Sequence, residues 1–339
     1  MFAVKKAERE AVPALIGLWG PSGSGKTYSA LKVARGLVGK DGKIVVIDTE
    51  NGRAKFYADM VGGWDHIDFQ PPFTPQRYSE AMKAAEDAGA DVIIIDSMSH
   101  VWEGEGGVLD MAENAKTASG KSLTGLAKFK TPKTQFKRMT NNLLRSRVSV
   151  IFCLRAKDLN IQVGAGSNAE IQSKGLTPIC EKNFIFEMTV SALLGPDHKP
   201  LFESTPDLKC NPAVPSVKIP EEAAGAIKRG AFLDEKAGEA IAAWLGGGVA
   251  VDHETRALQR HARNKATEGS VKMRDWWEGE LTKEERKTLA TMLDELREVA
   301  NQADADMAAP DKGEGEEPPT RDPLDDAFTP KGAETLGAV

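Results

Sequence analysis

Gly20-Pro21-Ser22-Gly23-Ser24-Gly25-Lys26-Thr27 fits the phosphate-binding pattern G-x-x-x-x-G-K-[ST] at every fixed position. The glycines let the backbone turn tightly enough for successive N–H groups to face phosphate oxygens. Lys26 adds a positive charge near the β- and γ-phosphates, the Thr27 hydroxyl suits Mg²⁺, and Tyr28 completes the candidate nucleotide contacts. ATP and Mg²⁺ are the implied cofactors, and phosphoryl transfer is the implied chemistry. Asp96 ends an apolar run 70 residues after Lys26, where an aspartate would hold Mg²⁺ directly or through water. An aspartate that only caps the next helix would look the same. Glu50, closing Ile47-Asp48-Thr49-Glu50, could orient or deprotonate the water that attacks the γ-phosphorus, or it could be a surface acid at a strand end. Lys26 and Glu50 are therefore the candidate catalytic residues, and Thr27 and Asp96 the candidate metal ligands.

These side chains need a scaffold that brings strand ends together. Ala14–Trp19, Lys43–Asp48, Asp91–Asp96 and Val148–Leu154 are short apolar runs, rich in β-branched residues, of the kind that forms parallel strands buried on both faces. Helix-forming stretches at 28–38, 76–88 and 133–146 separate them. The alternation predicts an α/β fold with a mainly parallel sheet, so the loops at the C-terminal strand ends share one crevice. Residues 184–194 and 199–203 read as a hairpin extending the sheet. From about 215 the pattern turns helical, with a helix at 233–245 before Gly246-Gly247-Gly248. A small helical module follows at 252–265 and 270–300, with a capping box at Thr282–Glu285 and Trp276-Trp277 as core or docking surface. The expected organisation is a core at 1–215, a helical extension and glycine linker at 216–248, the helical module at 249–302, and a disordered acidic tail at 303–339.

Gly20–Thr27, Ile47-Asp48-Thr49-Glu50 and Ile95-Asp96-Ser97 together resemble the RecA-like P-loop ATPases, with agreement in order and spacing over 14 to about 110 and less clearly to about 205. Among these, the chain looks most similar to compact ATPases of bacteriophages, some of which are single-strand annealing recombinases. The resemblance implies ATP binding, slow hydrolysis, assembly of like subunits with nucleotide near their interfaces, and single-stranded DNA bound by loops after the third and fourth strands. The polar stretch 156–178 stands where the second such loop is expected. Two features depart from the pattern. Ser97 replaces the glutamate that polarises water in AAA+ proteins, which moves that role to Glu50. Only about 13 residues precede the first strand, so the extension that links full-length RecA proteins into filaments is expected to be reduced.

The formal charge of −6 hides its distribution. Residues 301–339 hold 10 acidic and 3 basic side chains, leaving 41 basic and 40 acidic in residues 1–300. Residues 115–157 hold 11 lysines and arginines and no acid, the footprint expected of a nucleic-acid contact or of a solvated basic face. Lys121, Lys128, Lys130 and Lys133 are read as a loop with Phe129 available for stacking, and Lys137 and Arg138 as its continuation onto a helix. The acidic tail could compete for that surface. Its segment Asp322–Phe328 mixes acids with apolar side chains, as tails that recruit replication proteins or single-strand-binding partners do, and a plain spacer would also fit. Three cysteines without a C-x-x-C pair argue against a disulfide framework or zinc. No apolar run is long enough to span a bilayer and no signal peptide is evident, so a cytoplasmic protein is expected. The rivals are a small-molecule P-loop kinase, which would need a lid of clustered arginines, and a non-catalytic ATP-binding loader or assembly factor. A GTP switch is disfavoured because Asn264-Lys265-Ala266-Thr267 lacks the aspartate of N-K-x-D.

Overall fold

The computed structural model describes residues 12–164, 169–246 and 253–308. The chain divides into two compact units, 1–261 and 262–339. In the first, β1 (Leu15–Gly20) leads to α1 (Lys26–Val38), then β2 (Ile44–Asp48), β3 (Asp65–Asp68), α2 (Pro75–Asp87) and β4 (Val92–Asp96). Two short helices follow, α3 (His100–Glu103) and α4 (Val108–Glu113), before α5 (Lys130–Leu143). β5 (Ser149–Val163), β6 (Glu170–Pro178), β7 (Val190–Leu193), β8 (Val217–Lys218) and α6 (Glu235–Leu245) complete the unit, and α7 (His253–Ala266) runs across the division.

The sheet order is β3-β2-β4-β5-β1-β7-β8, parallel from β3 to β7 with β8 antiparallel at the edge. Alternate residues of each strand feed opposite cores. Ile93 and Ile95 of β4 pack with α2 and α5 residues Tyr78, Met82, Phe136 and Met139, while Val92 and Ile94 pack with α1 and α6 residues Leu31, Ala34 and Ile241. Burial on both faces explains why these strands read as unbroken apolar runs. Thr74 accepts Arg77 N–H to start α2 with Pro75 at its first position, where a missing N–H costs nothing.

Several expectations change. The segment expected as a hairpin is a single 3₁₀ turn at Phe184–Glu187 followed by β7, which joins β1 in parallel. The return after Gly195 makes only an isolated Leu194–Pro200 bridge, and the antiparallel partner of β7 is β8. The polar stretch 156–178 is no loop. β5 continues to Val163 and pairs antiparallel with β6, forming a ribbon with a bulge at Asp158/Asn160. The basic helix α5 starts at Lys130 rather than 133, because Pro132 falls in the first turn, where proline is tolerated.

In the second unit, α8 (Ser270–Gly279), α9 (Lys283–Leu289) and α10 (Leu293–Ala308) follow the end of α7. The capping box forms, with Glu285 N–H donating to Thr282 Oγ1 at 3.3 Å and Thr282 N–H donating to Glu285 Oε2 at 2.8 Å. Trp276 is buried and Trp277 half-buried, so the first tryptophan is core. Residues 303–308, expected as the start of the tail, are helical, and Asp304 accepts Ser270 N–H at 3.0 Å. Gly247, Gly248 and the tail from 309 lie outside the described residues.

Candidate functional site

The glycine-rich loop bridges the end of β1 and the start of α1. Gly23 and Gly25 both adopt φ of 80°, the left-handed region that glycine enters without penalty. A Cβ on Gly25 would also stand 3.0 Å from His198 Nδ1, so the turn after β7 closes one side of the loop. The Ser24 hydroxyl is buried with no hydrogen-bond partner among the described residues. Lys26 curls back, its Nζ donating to the carbonyls of Gly20 at 3.0 Å and Pro21 at 2.7 Å. Burial lowers its pKa, and the negative charges of Asp96 and Glu50 oppose the shift. α1 thus presents its N-terminal N–H groups and Lys26 on one side of the crevice, the arrangement that binds phosphate.

Asp96 arrives from β4. Since β5 pairs with β1 on one side and β4 on the other, residues 69 apart meet, and Thr27 Oγ1 donates to Asp96 Oδ2 at 2.5 Å. Burial pushes the Asp96 carboxyl up to about 6, with the Thr27 hydrogen bond opposing and the Glu50 charge adding to the rise. A buried carboxylate disfavoured in its charged form, beside a hydroxyl, fits Mg²⁺, which takes few protein oxygens and completes its shell with phosphate and water. The Asp96–Ser97 peptide bond is cis. At the mouth of the crevice the Tyr28 and Tyr57 rings lie 5.5 Å apart, centroid to centroid. They offer aromatic faces to a nucleobase.

Glu50 is fixed by the turn that follows β2. The buried Asp48 carboxylate accepts Glu50 N–H at 2.7 Å through Oδ1 and Ala54 N–H at 3.1 Å through Oδ2, with His66 Nε2 at 3.3 Å. Asn51 and Gly52 take left-handed conformations with φ of 57° and 77°. This tight turn holds the Glu50 side chain at the C-terminal sheet edge. There Arg155 grips it, donating from Nε to Oε1 at 2.9 Å and from Nη2 to Oε2 at 2.6 Å. His100 Nε2 stands 3.8 Å from Oε1, while its Nδ1 lies 2.7 Å from Thr49 Oγ1. Burial alone would raise the Glu50 pKa, but the Arg155 hydrogen bonds and charge outweigh it and the carboxyl is held below its ordinary value. Burial lowers the pKa of His100.

The structure therefore brings Gly20–Tyr28, Glu50 and Asp96 to one crevice. Lys121, Lys130, Lys133, Lys137 and Arg138 stand exposed before and along α5, and no hydrogen bond or ion pair of the crevice among the described residues involves them. Lys128 and Lys133 Nζ lie 5.3 and 5.7 Å from the Phe129 ring centroid, so the ring faces two cations. Sequence reasoning passed over Arg155, His100, Tyr57 and His198. Arg155 was open to the rule that singled out Glu50, since both stand where a parallel strand leaves the core.

The model of the AAA domain family matches residues 13–183, which contain every residue of this crevice except His198. No curated protein matches the chain.

Proposed function

The chain belongs to the AAA-domain family of P-loop ATPases, and from that premise we propose that it is an ATP-hydrolysing protein that works on single-stranded DNA in phage recombination, annealing or replication. The observation that carries the ATPase half is the convergence of Lys26, Thr27, Asp96 and Glu50 on one glycine-lined crevice. A bound triphosphate offers Lys26 Nζ stronger acceptors than the two loop carbonyls it now holds, so the ammonium turns to the β- and γ-phosphate oxygens. Mg²⁺, when bound, neutralises charge on those phosphates, with Thr27 Oγ1 and Asp96 as its protein ligands. Glu50 orients the attacking water and accepts its proton.

The DNA half rests on the acid-free basic stretch 115–157, exposed before and along α5 with Phe129 between lysines. Such a surface suits a phosphate backbone with bases stacking on an aromatic ring. Assembly into homo-oligomers, with nucleotide near the subunit interfaces, belongs to the same reading, as does recruitment of replication proteins by the acidic tail. ATP turnover of the purified protein, measured with and without single-stranded DNA, tests it. Turnover is expected to rise with DNA and to vanish in Lys26→Ala, which lacks the charge that stabilises the transferring phosphoryl oxygens. Unchanged turnover in Lys26→Ala overturns the assignment of the site.

A further inference from the structure

Glu50 can orient a water only if a carboxylate oxygen is free, yet Arg155 occupies both. The surroundings show which partner can move. The Glu50 backbone is tied to Asp48, and its side chain is 15% exposed. Arg155 is also tied at its backbone, its N–H donating to Ser99 Oγ at 2.9 Å and its carbonyl accepting Ile179 N–H at 2.7 Å, but its side chain is 39% exposed. The guanidinium is thus a mobile end on a fixed stem, lying toward the open side of the crevice.

Its position in the sheet says where it can go. β5 lies between β1 and β4, and Arg155 is the register partner of Gly20, two residues beyond the pairing of Cys153 with Asp96. The stem therefore rises between the phosphate loop and Asp96. The charge of Arg155 is felt at Lys26, and those of Glu103 and Asp96 at Arg155. His100 is held by Thr49 and stacks on Phe73 with centroids 4.9 Å apart, so it stays beside Glu50 if Arg155 leaves. A guanidinium fork pairs with a phosphate as well as with a carboxylate, and the terminal phosphate lies outermost from the loop that cradles the others.

We propose that Arg155 is a ligand of the terminal phosphate of bound ATP, and that it releases Glu50 in reaching it, so the water-orienting carboxylate is freed only when a third phosphate is present. This builds on the nucleotide reading of the crevice and adds a latch against idle chemistry in the empty or diphosphate-bound site. In the resting state Glu50 and the terminal phosphate compete for one guanidinium, and that competition is measurable.

The test is equilibrium titration of the full chain with ADP and with the non-hydrolysable triphosphate AMP-PNP, each with Mg²⁺. Glu50→Gln should tighten AMP-PNP by about tenfold, since a neutral amide releases the arginine at less cost, and leave ADP unchanged. Arg155→Gln should weaken AMP-PNP by about tenfold with ADP unchanged, and adding Glu50→Gln to it should no longer tighten AMP-PNP. Unchanged ADP affinity reports that each variant is folded. If Arg155→Gln does not fold, Arg155→Lys decides. It keeps the charge and loses the fork, so a fall in preference for AMP-PNP supports the latch and an unaltered preference overturns it. The latch is also overturned if Glu50→Gln shifts both nucleotides equally, or if its gain persists without Arg155. If the wild-type protein binds neither nucleotide, the reading of the crevice itself fails and the latch falls with it.

Discussion

Glu50 shows how one residue can serve the fold and the reaction with the same charge. Its pKa lies below the ordinary 4.5 because Arg155 favours the ionised form. A carboxylate with a depressed folded pKa stabilises fully above its unfolded value, and that contribution is lost as pH falls through the folded pKa. Glu50→Gln is therefore expected to melt below the wild type at pH 7, with the gap closing as pH drops under about 4.5. Thermal denaturation across pH checks it, and a gap independent of pH would mean that the ion pair contributes nothing to the difference. The same variant should retain nucleotide binding and lose turnover by about 10²-fold or more. A variant that turns over normally at saturation would reduce Glu50 to a binding or structural residue. Lys26, Thr27, Asp96 and Glu50 were legible in sequence because each sits where an apolar run stops and small or polar residues begin. Arg155 was not, because β5 does not stop there. It leaves the sheet core and runs on to Val163 with polar residues in alternation, so nothing in the sequence marks the point at which the strand crosses the crevice.

Among the elements, α1 and α6 approach more closely than side chains allow. A Cβ on Gly36 would lie 1.9 Å from the Glu235 carbonyl oxygen, and one on Gly238 would lie 2.1 Å from that of Val33. The helices touch backbone to backbone, and α1 is the helix whose first residue is Lys26. Gly36→Ala should force them apart at a cost of about 1–3 kcal/mol, visible as a lower melting temperature. Gly238→Ala should do the same, and the double variant should cost less than the sum, since the two glycines share one contact. A Gly36→Ala protein as stable as the wild type would mean that the helices are not held this closely. Here too, legibility followed burial. The strands β1, β2, β4 and the inner half of β5 announced themselves through burial on both faces. The half-exposed β3, with sequence DHID, carries no apolar run and exists by pairing with β2. The β5–β6 ribbon alternates Leu159, Ile161 and Val163, but its polar composition matches that of a loop, and its long-range pairing decides the difference.

For the whole molecule, the distribution of charge matters more than its sum. If the basic stretch holds single-stranded DNA, replacing Lys128, Lys130 and Lys133 together by alanine should weaken binding and flatten the slope of log affinity against log salt by roughly 2, at about 0.7 per phosphate contact. The same affinity and slope in the parent would move the site elsewhere, with the β5–β6 ribbon next in line. The tail is best tested by truncation after Ala308, because Asp304 holds the start of α8. Residues 309–339 carry 8 acidic and 3 basic side chains, and their removal should strengthen DNA binding at low salt if they compete for the basic face. Unchanged binding would leave the tail a spacer or a recruiting segment. The strand order also governs how the chain is made. β1 is the first strand to leave the ribosome, but its two neighbours are β5 and β7, and Leu193 follows Gly20 by 173 residues. At about 5–20 residues per second, that interval lasts roughly 9–35 s. During synthesis the glycine loop is thus present long before it has walls, and a nascent chain gains its grip on nucleotide only when nearly two hundred residues have emerged.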